Sequence, residues 1–415
     1  VSAVAAAKLP AAEWQTVRLA DVCQFKPPKS IPRKALEDDS PVSFVPMGDL
    51  GELTKHFEAR TVRRFGEVVK GYTYFADGDV LCAKITPCFE NGKLGIAQDL
   101  ENGVGFGSSE FVVMRSKGEI LPEFLYYYLS REAFREAGQA VMSGAVGHKR
   151  VPKEHFENLE IPLPPLDEQK RIVAVLDQAF AALDRARSIT EQNISDTEEL
   201  RIRTAKQLVT TMMQGVSREK LGDLAEFRNG LNFSRHSQGE TVKIAGVGDF
   251  QNNFLLPVQQ LKTTMIEGSL RNDDKLREGD IISVRSNGNK ALIGRVMLVG
   301  ETEPDVSFSG FVIRIRRTSE KLSSEFLCRF MKSADAVSHL IAGGGGAQIS
   351  NLNQRILSQL EVPLPSPETQ DNFANAMARL DDSCRELTTR YKNKLAQLSV
   401  IRESLLYSAL AGQLT

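Results

Sequence analysis

Few residues in this chain are spaced for catalysis. The triplet Glu168-Gln169-Lys170, with Asp167 beside it, matches the Glu-x-Lys half of a metal-dependent nuclease motif. A second copy of the surrounding segment reads Thr369-Gln370-Asp371, which lacks the lysine, and acids belong at a helix start in any case. Gly92-Lys93 is followed by Leu94, so there is no Gly-Lys-Ser/Thr phosphate loop, and the run Gly343–Gly346 leads into no Lys-Ser/Thr helix. The Asn/Asp-Pro-Pro-aromatic tetrapeptide of adenine-N6 methyltransferases is absent. His148 and His155 are the nearest pair among five histidines, and no HExxH occurs. The five cysteines (Cys23, Cys82, Cys88, Cys328, Cys384) include no CxxC, which speaks against zinc and suits a reducing cytoplasm.

Side chains suited to binding are better represented. Lys84, Thr86, Asn91 and Lys93 lie in CAKITPCFENGK, and His148, Lys149, Arg150 and Lys153 in GHKRVPK. Further on, SVRSNGNK carries Arg285, Asn287, Asn289 and Lys290, and GGGGAQISNLNQR carries Gln348, Asn351 and Asn353. Arginine and asparagine make paired hydrogen bonds to guanine and adenine edges, while lysine, serine and threonine suit phosphates. The run FVIRIRR (Phe311–Arg317) reads as a half-exposed strand with phosphate contacts secondary. Lys+Arg 52 against Asp+Glu 53 gives a net charge of −1, so any nucleic-acid binding must come from local patches.

These loops recur at matching stations of a duplicated unit. RLADVCQF (Arg18–Phe25) returns as KLGDLAEF (Lys220–Phe227), FVPMGDL (Phe44–Leu50) as IAGVGDF (Ile244–Phe250), and FADGDVL (Phe75–Leu81) as LREGDII (Leu276–Ile282). EFVVMR (Glu110–Arg115) aligns with GFVIRI (Gly310–Ile315), EFLYYYL with EFLCRFM, and IPLPPLDEQKRI (Ile161–Ile172) with VPLPSPETQDNF (Val362–Phe373). The order never changes. The framework repeats while the candidate contact loops differ, as expected of two similar domains reading different targets.

Each unit opens with short strands bounded by glycine turns and ends in a long helix. The second helix carries a coiled-coil seam at Phe373, Met377, Leu380, Cys384, Leu387, Tyr391, Leu395, Leu398, Ile401 and Leu405. The first carries the equivalent stripe at Ile172, Leu176, Ala179, Leu183, Ala186, Thr190, Ile194, Thr197, Leu200 and Thr204. At roughly 40–45 residues each helix is about 60–65 Å long, and the two stripes are natural partners. No apolar run approaches the ~20 residues that span a bilayer, and the protein is expected to be soluble.

The double IPLPPLDEQKRI/VPLPSPETQDNF step, the RLADV/KLGDL openings, the long helices and the ending LLYSALAGQLT, echoed by QLVTTMMQG (Gln207–Gly215), resemble a specificity subunit of a Type I restriction–modification system. The second copy's Pro-Ser-Pro-Glu-Thr-Gln departs somewhat from the family pattern. The resemblance implies an α+β chain. A tail (1–16) precedes recognition domain 1 (17–165) and a central long helix (166–215); recognition domain 2 (216–366), a second long helix (367–411) and a short tail (412–415) follow. Two antiparallel helices would act as a ruler between two domains related by a pseudo-twofold axis, each reading half of a bipartite duplex site. The chain itself would be non-catalytic. Its implied partners are double-stranded DNA, two modification subunits using S-adenosylmethionine, and restriction subunits using ATP and Mg²⁺, with no membrane. A two-headed coiled-coil adaptor for protein partners is the competing reading. A steep salt dependence of duplex binding separates the two.

Overall fold

Glycine turns and fully apolar runs set the strands. In FADGDVL and LREGDII the glycines Gly78 and Gly279 take φ of 82° and 85°, a left-handed turn that feeds the strands Val80–Ala83 and Ile281–Val284. Both strands are buried on both faces. The computed structural model describes residues 14–413 except 146, 235, 251–252, 304 and 344–350. The chain divides into two compact units, Val1–Glu191 with Lys392–Thr415, and Gln192–Tyr391.

In the first unit an antiparallel sheet runs in the order Cys23–Phe25, Phe111–Ser116, Val80–Ala83, Leu94–Ile96. A second sheet runs Thr61–Arg64, Pro41–Val45, Val104–Gly107, Thr73–Ala76, with a parallel pair at its centre. The second unit repeats the first sheet as Ala225–Asn229, Val312–Arg317, Ile281–Val284, Val296–Leu298. Its other sheet has three strands, Lys262–Met265, Thr241–Ala245 and Val306–Phe308. A small ladder closes each recognition region: Gln15–Arg18 pairs with Glu160–Leu163, and Arg218–Lys220 with Glu361–Pro363. The proline-rich motif thus ties the end of each recognition region to its beginning.

Buried polar groups repeat with the same fidelity. Asp79 caps its own turn through the Ala76 N–H (2.8 Å) and takes two 2.7 Å bonds from Arg115. Asp280 does the same with the Arg277 N–H (2.8 Å) and Arg316 (2.7 Å twice). This pairing corrects one register expected from sequence. Val80 lies opposite Met114 and Ile281 opposite Ile315, so Met114 corresponds to Ile315 and Glu110, not Phe111, corresponds to Phe311. Two of the three FVIRIRR arginines are also less exposed than expected, while Arg317 is exposed. Arg314 is buried against Glu226 (2.9 Å), and Arg316 is committed to Asp280.

The long helices span Leu166–Met212 and Pro367–Leu410. In the first unit the early part of one packs on the late part of the other, with Ile172, Leu176 and Phe180 in one core with Leu406, Ala409 and Leu410. In the second unit Val209, in the first helix's last turn, and Met213, just past it, share a core with Phe373 and Met377. Early residues of one helix thus meet late residues of the other, an antiparallel pairing. The seam departs from expectation at Leu387, which is 38% exposed, and most clearly at the station shared by Leu200 and Ile401. Leu200 and Ile401 are 58% and 45% exposed. The next residue turns inward instead: Arg201 reaches Asp381 (3.5 Å), and Arg402 reaches Asp184 (2.9 Å) and covers the Phe180 ring at 4.1 Å.

Candidate nucleic-acid interface

The expected contact loops gather at one end of the repeated four-stranded sheet in each unit. Two backbone bonds fix them there. In the first unit the Lys84 N–H donates to Glu110 O (3.0 Å) and the Val151 N–H to Lys84 O (2.8 Å). In the second, the Arg285 N–H donates to Phe311 O (2.9 Å) and the Leu352 N–H to Arg285 O (2.8 Å). One scaffold therefore brings together Lys84 with the 148–153 loop, and Arg285 with the 351–353 loop.

Most of the first-unit side chains are occupied within the protein. Lys93 donates to Leu50 O (2.7 Å) and Gly48 O (3.4 Å), so it ties a strand to a neighbouring loop. Thr86 donates to Glu90 (2.8 Å) and Asn91 to Glu52 (3.2 Å). Lys84 reaches Ser109 O at 3.3 Å. Arg150 grips Glu110 with two bonds of 3.0 and 2.8 Å, which holds that carboxyl below its usual range. Lys153 pairs with Glu157 one helical turn on. His148 and Lys149 are exposed, and neither has a side-chain partner among the described residues.

The second-unit asparagines build the loops that carry them. Asn287 Oδ1 accepts from the Asn289 N–H (2.7 Å), and Asn289 Oδ1 from the Ala291 N–H (3.1 Å). Asn353 caps the helix Gln354–Ser358 through the Ile356 N–H (2.9 Å). Asn351 and Lys290 are exposed, and Gln348 lies outside the described residues. Arg285 differs from the rest: its Nε is buried and meets no acceptor among the described residues. A buried guanidinium donor left unpaired is costly unless something outside the chain completes it.

One basic segment escaped the sequence reading. KPPKSIPRK (Lys26–Lys34) holds four cations and no acid, a signal the sequence did carry. It leaves the same sheet end, where the Lys26 N–H donates to Val113 O at 3.3 Å. Lys26, Arg33 and Lys34 are exposed. Burial, then the charges of Arg33 and Lys26, pull the Lys29 ammonium below its usual value, and Lys29 donates to Val69 O (2.9 Å). Among the described residues no cluster of three or more His, Cys, Asp or Glu could hold a metal, and no helix is long and apolar enough to cross a membrane. In the triplet Glu168-Gln169-Lys170, Glu168 is bound to Arg171 and Lys170 to Asp167, each one helical turn away.

Comparison with known proteins places this geometry among relatives. The chain matches the Type I restriction modification DNA specificity domain over residues 11–192 and again over 213–397. It is 33% identical over 227 residues to the EcoEI specificity subunit of Escherichia coli, covering 54% of this chain and 35% of that protein. The EcoAI specificity subunit of the same species is 32% identical over 54% of this chain and 36% of its own length, so the matches span about a third of these relatives. Among solved structures, the HsdS subunit from Thermoanaerobacter tengcongensis superposes with a TM-score of 0.64 at 18% identity, covering 98% of this chain and 99% of that one. A chain from a structure concerned with complex assembly and conformational transition of the type I R-M system gives a TM-score of 0.77 at 19% identity, covering 98% and 100%.

Proposed function

This chain belongs to the Type I restriction modification DNA specificity family, and from that premise we propose that it is the non-catalytic DNA-reading component of a cytoplasmic restriction–modification complex. Recognition domains at 17–165 and 216–366 each read one half of a bipartite duplex site, and the helix pair sets the unread spacer. Two modification subunits dock on the helices and use S-adenosylmethionine to methylate an adenine in each half-site. Restriction subunits add ATP- and Mg²⁺-dependent translocation and cleavage.

The observation that carries this reading is the pairing of one backbone scaffold with two different loop sets. Lys84 and Val151 occupy the same hydrogen-bonded stations as Arg285 and Leu352. The first set offers exposed cations at Lys26, Arg33, Lys34 and Lys149. The second offers Arg285 with an unpaired buried Nε. Cations position phosphates, whereas an unsatisfied guanidinium suits a base edge.

The test is the genomic methylation motif with the chain present, deleted, and carrying Arg285→Ala. Deletion abolishes methylation at a bipartite motif, and Arg285→Ala relaxes or abolishes one half-site only. Equal loss at both halves would mean that Arg285 supports the scaffold and does not read sequence.

A further inference from the structure

The strand pairing puts an unexpected residue at the tip of the second unit's sheet. Matching EFVVMR to GFVIRI would make Phe311 the counterpart of Phe111, a core residue. The ladder makes it the counterpart of Glu110, and Phe311 stands 61% exposed, directly opposite Arg285. Directly opposed residues of an antiparallel pair share one face of the sheet, so the two side chains leave the same face at the same tip.

A single exposed phenylalanine needs no explanation on its own. The turn that carries this one is heavily fixed. The Ser309 N–H donates to Ala245 O (2.9 Å), Gly310 to Leu231 O (2.7 Å), Val312 to Ser309 O (2.8 Å) and Arg285 to Phe311 O (2.9 Å). A Cβ on Gly230 would meet the carbonyl oxygens of Ser309 and Phe308 at 2.2 and 2.4 Å, and one on Gly310 would meet Asn232 Oδ1 at 2.1 Å. Two glycines thus let the neighbouring loop close against the tip. The fold builds a rigid mount and sets a large apolar ring on it, facing solvent. Across the strand pair from it is Arg285, whose Nε has no acceptor among the described residues. In the first unit the same station is closed off, because Glu110 is held by Arg150.

We infer that Phe311 is a specificity-determining residue of the second recognition domain: its ring contacts the 5-methyl group of a thymine in the major groove, next to the base edge taken by Arg285. The inference rests on the DNA-reading function proposed above. Among major-groove features the thymine methyl is the one an apolar side chain reads, and an arginine fork at its side reads a neighbouring purine. A ring fixed before binding loses little freedom on contact.

The experiment uses the chain in complex with its modification subunits and duplexes bearing the methylated motif. Each thymine in turn is replaced by deoxyuridine, which pairs identically but lacks the methyl. At one position in one half-site this weakens wild-type binding about fourfold, the worth of one buried methyl-sized group. Phe311→Ala weakens binding to the native duplex at least as much, and deoxyuridine at that position then has no further effect. Phe311→Leu keeps part of the discrimination. An unchanged melting temperature, expected for an exposed side chain, shows that the variants fold. The inference is overturned if no thymine in the half-site relaxed by Arg285→Ala responds, or if the response survives in Phe311→Ala. Failure of the wild-type complex to prefer its motif over a scrambled duplex is a separate result, and it would bring down the DNA-reading function itself.

Discussion

Gln169 and Gln370 do more for the fold than the acids beside them. Both are essentially buried, at 0% and 1% exposure. Gln169 Oε1 accepts from the Leu121 N–H (2.7 Å), and its Nε2 donates to Glu119 O and Pro164 O (2.9 Å each). Gln370 repeats this with the Ser323 N–H (2.8 Å), Lys321 O (2.7 Å) and Pro365 O (3.1 Å). Gln169→Ala strands one N–H and two carbonyls, and we expect a loss of about 3 kcal/mol in the first unit's urea unfolding. A loss under about 1 kcal/mol would show that water replaces the amide. Asp274 supplies a pH dependence. Burial alone would raise its carboxyl, but bonds from Arg271 and Arg228 (2.7 Å each) outweigh that and hold it below its usual range. A lowered folded value means that its contribution is complete above the unfolded value of about 3.9 and is lost as pH falls through the folded value. Acid titration of unfolding should show this loss below about pH 4; Asp274→Asn should be weaker at pH 7 and lack that acid step. The sequence displayed the glutamines as part of a repeated motif, but not that they are buried. Charge was legible in GHKRVPK, whereas its neutralisation was not, because Arg150 is taken by Glu110 forty positions earlier in the chain.

At the scale of elements, periodicity carried far and failed where two registers were equally apolar. The GD turns, the strand starts and the long helices were visible because each has a local cause: a left-handed glycine, a buried apolar run, or a stripe spaced in threes and fours. The strand Phe111–Ser116 could be laid on its counterpart in two ways, since Phe111 and Val112 are both apolar. The Asp79–Arg115 and Asp280–Arg316 pairs settle the register, and no window of sequence contains both partners' geometry. The helix seam slips for a related reason. Leu200 and Ile401 continue the apolar spacing, yet arginine stems can cover apolar surface while their heads reach carboxylates, so Arg201 and Arg402 take the inward station. Leu200→Gln and Ile401→Gln should therefore each change unfolding stability by less than about 0.5 kcal/mol. Arg402→Ala should cost more than either, through lost cover over Phe180 as well as the Asp184 pair. Thermal melts of the three variants would test this, and a larger loss from Leu200→Gln would restore the unbroken seam.

For the whole molecule, the division of the chain coincides with the helices. The division falls between Glu191 and Gln192 in the first long helix and between Tyr391 and Lys392 in the second. Each unit keeps its own interhelical ion pair, Arg402–Asp184 in one and Arg201–Asp381 in the other. One heptad inserted at both boundaries therefore leaves every contact inside each unit in place, including the scaffold bonds at Lys84 and Arg285. It lengthens both helices by about 10 Å and keeps the seam in phase. If the helix pair sets the spacer, the methylated motif should gain about 3 base pairs between its halves, since each pair rises about 3.4 Å. The letters of both half-sites should stay as they were, because nothing in either loop set has moved relative to its own sheet. Sequencing the methylome of cells carrying the lengthened chain reads both quantities at once. A motif with altered letters and an unchanged spacer would separate the helices from the measurement of distance and return spacing to the recognition domains.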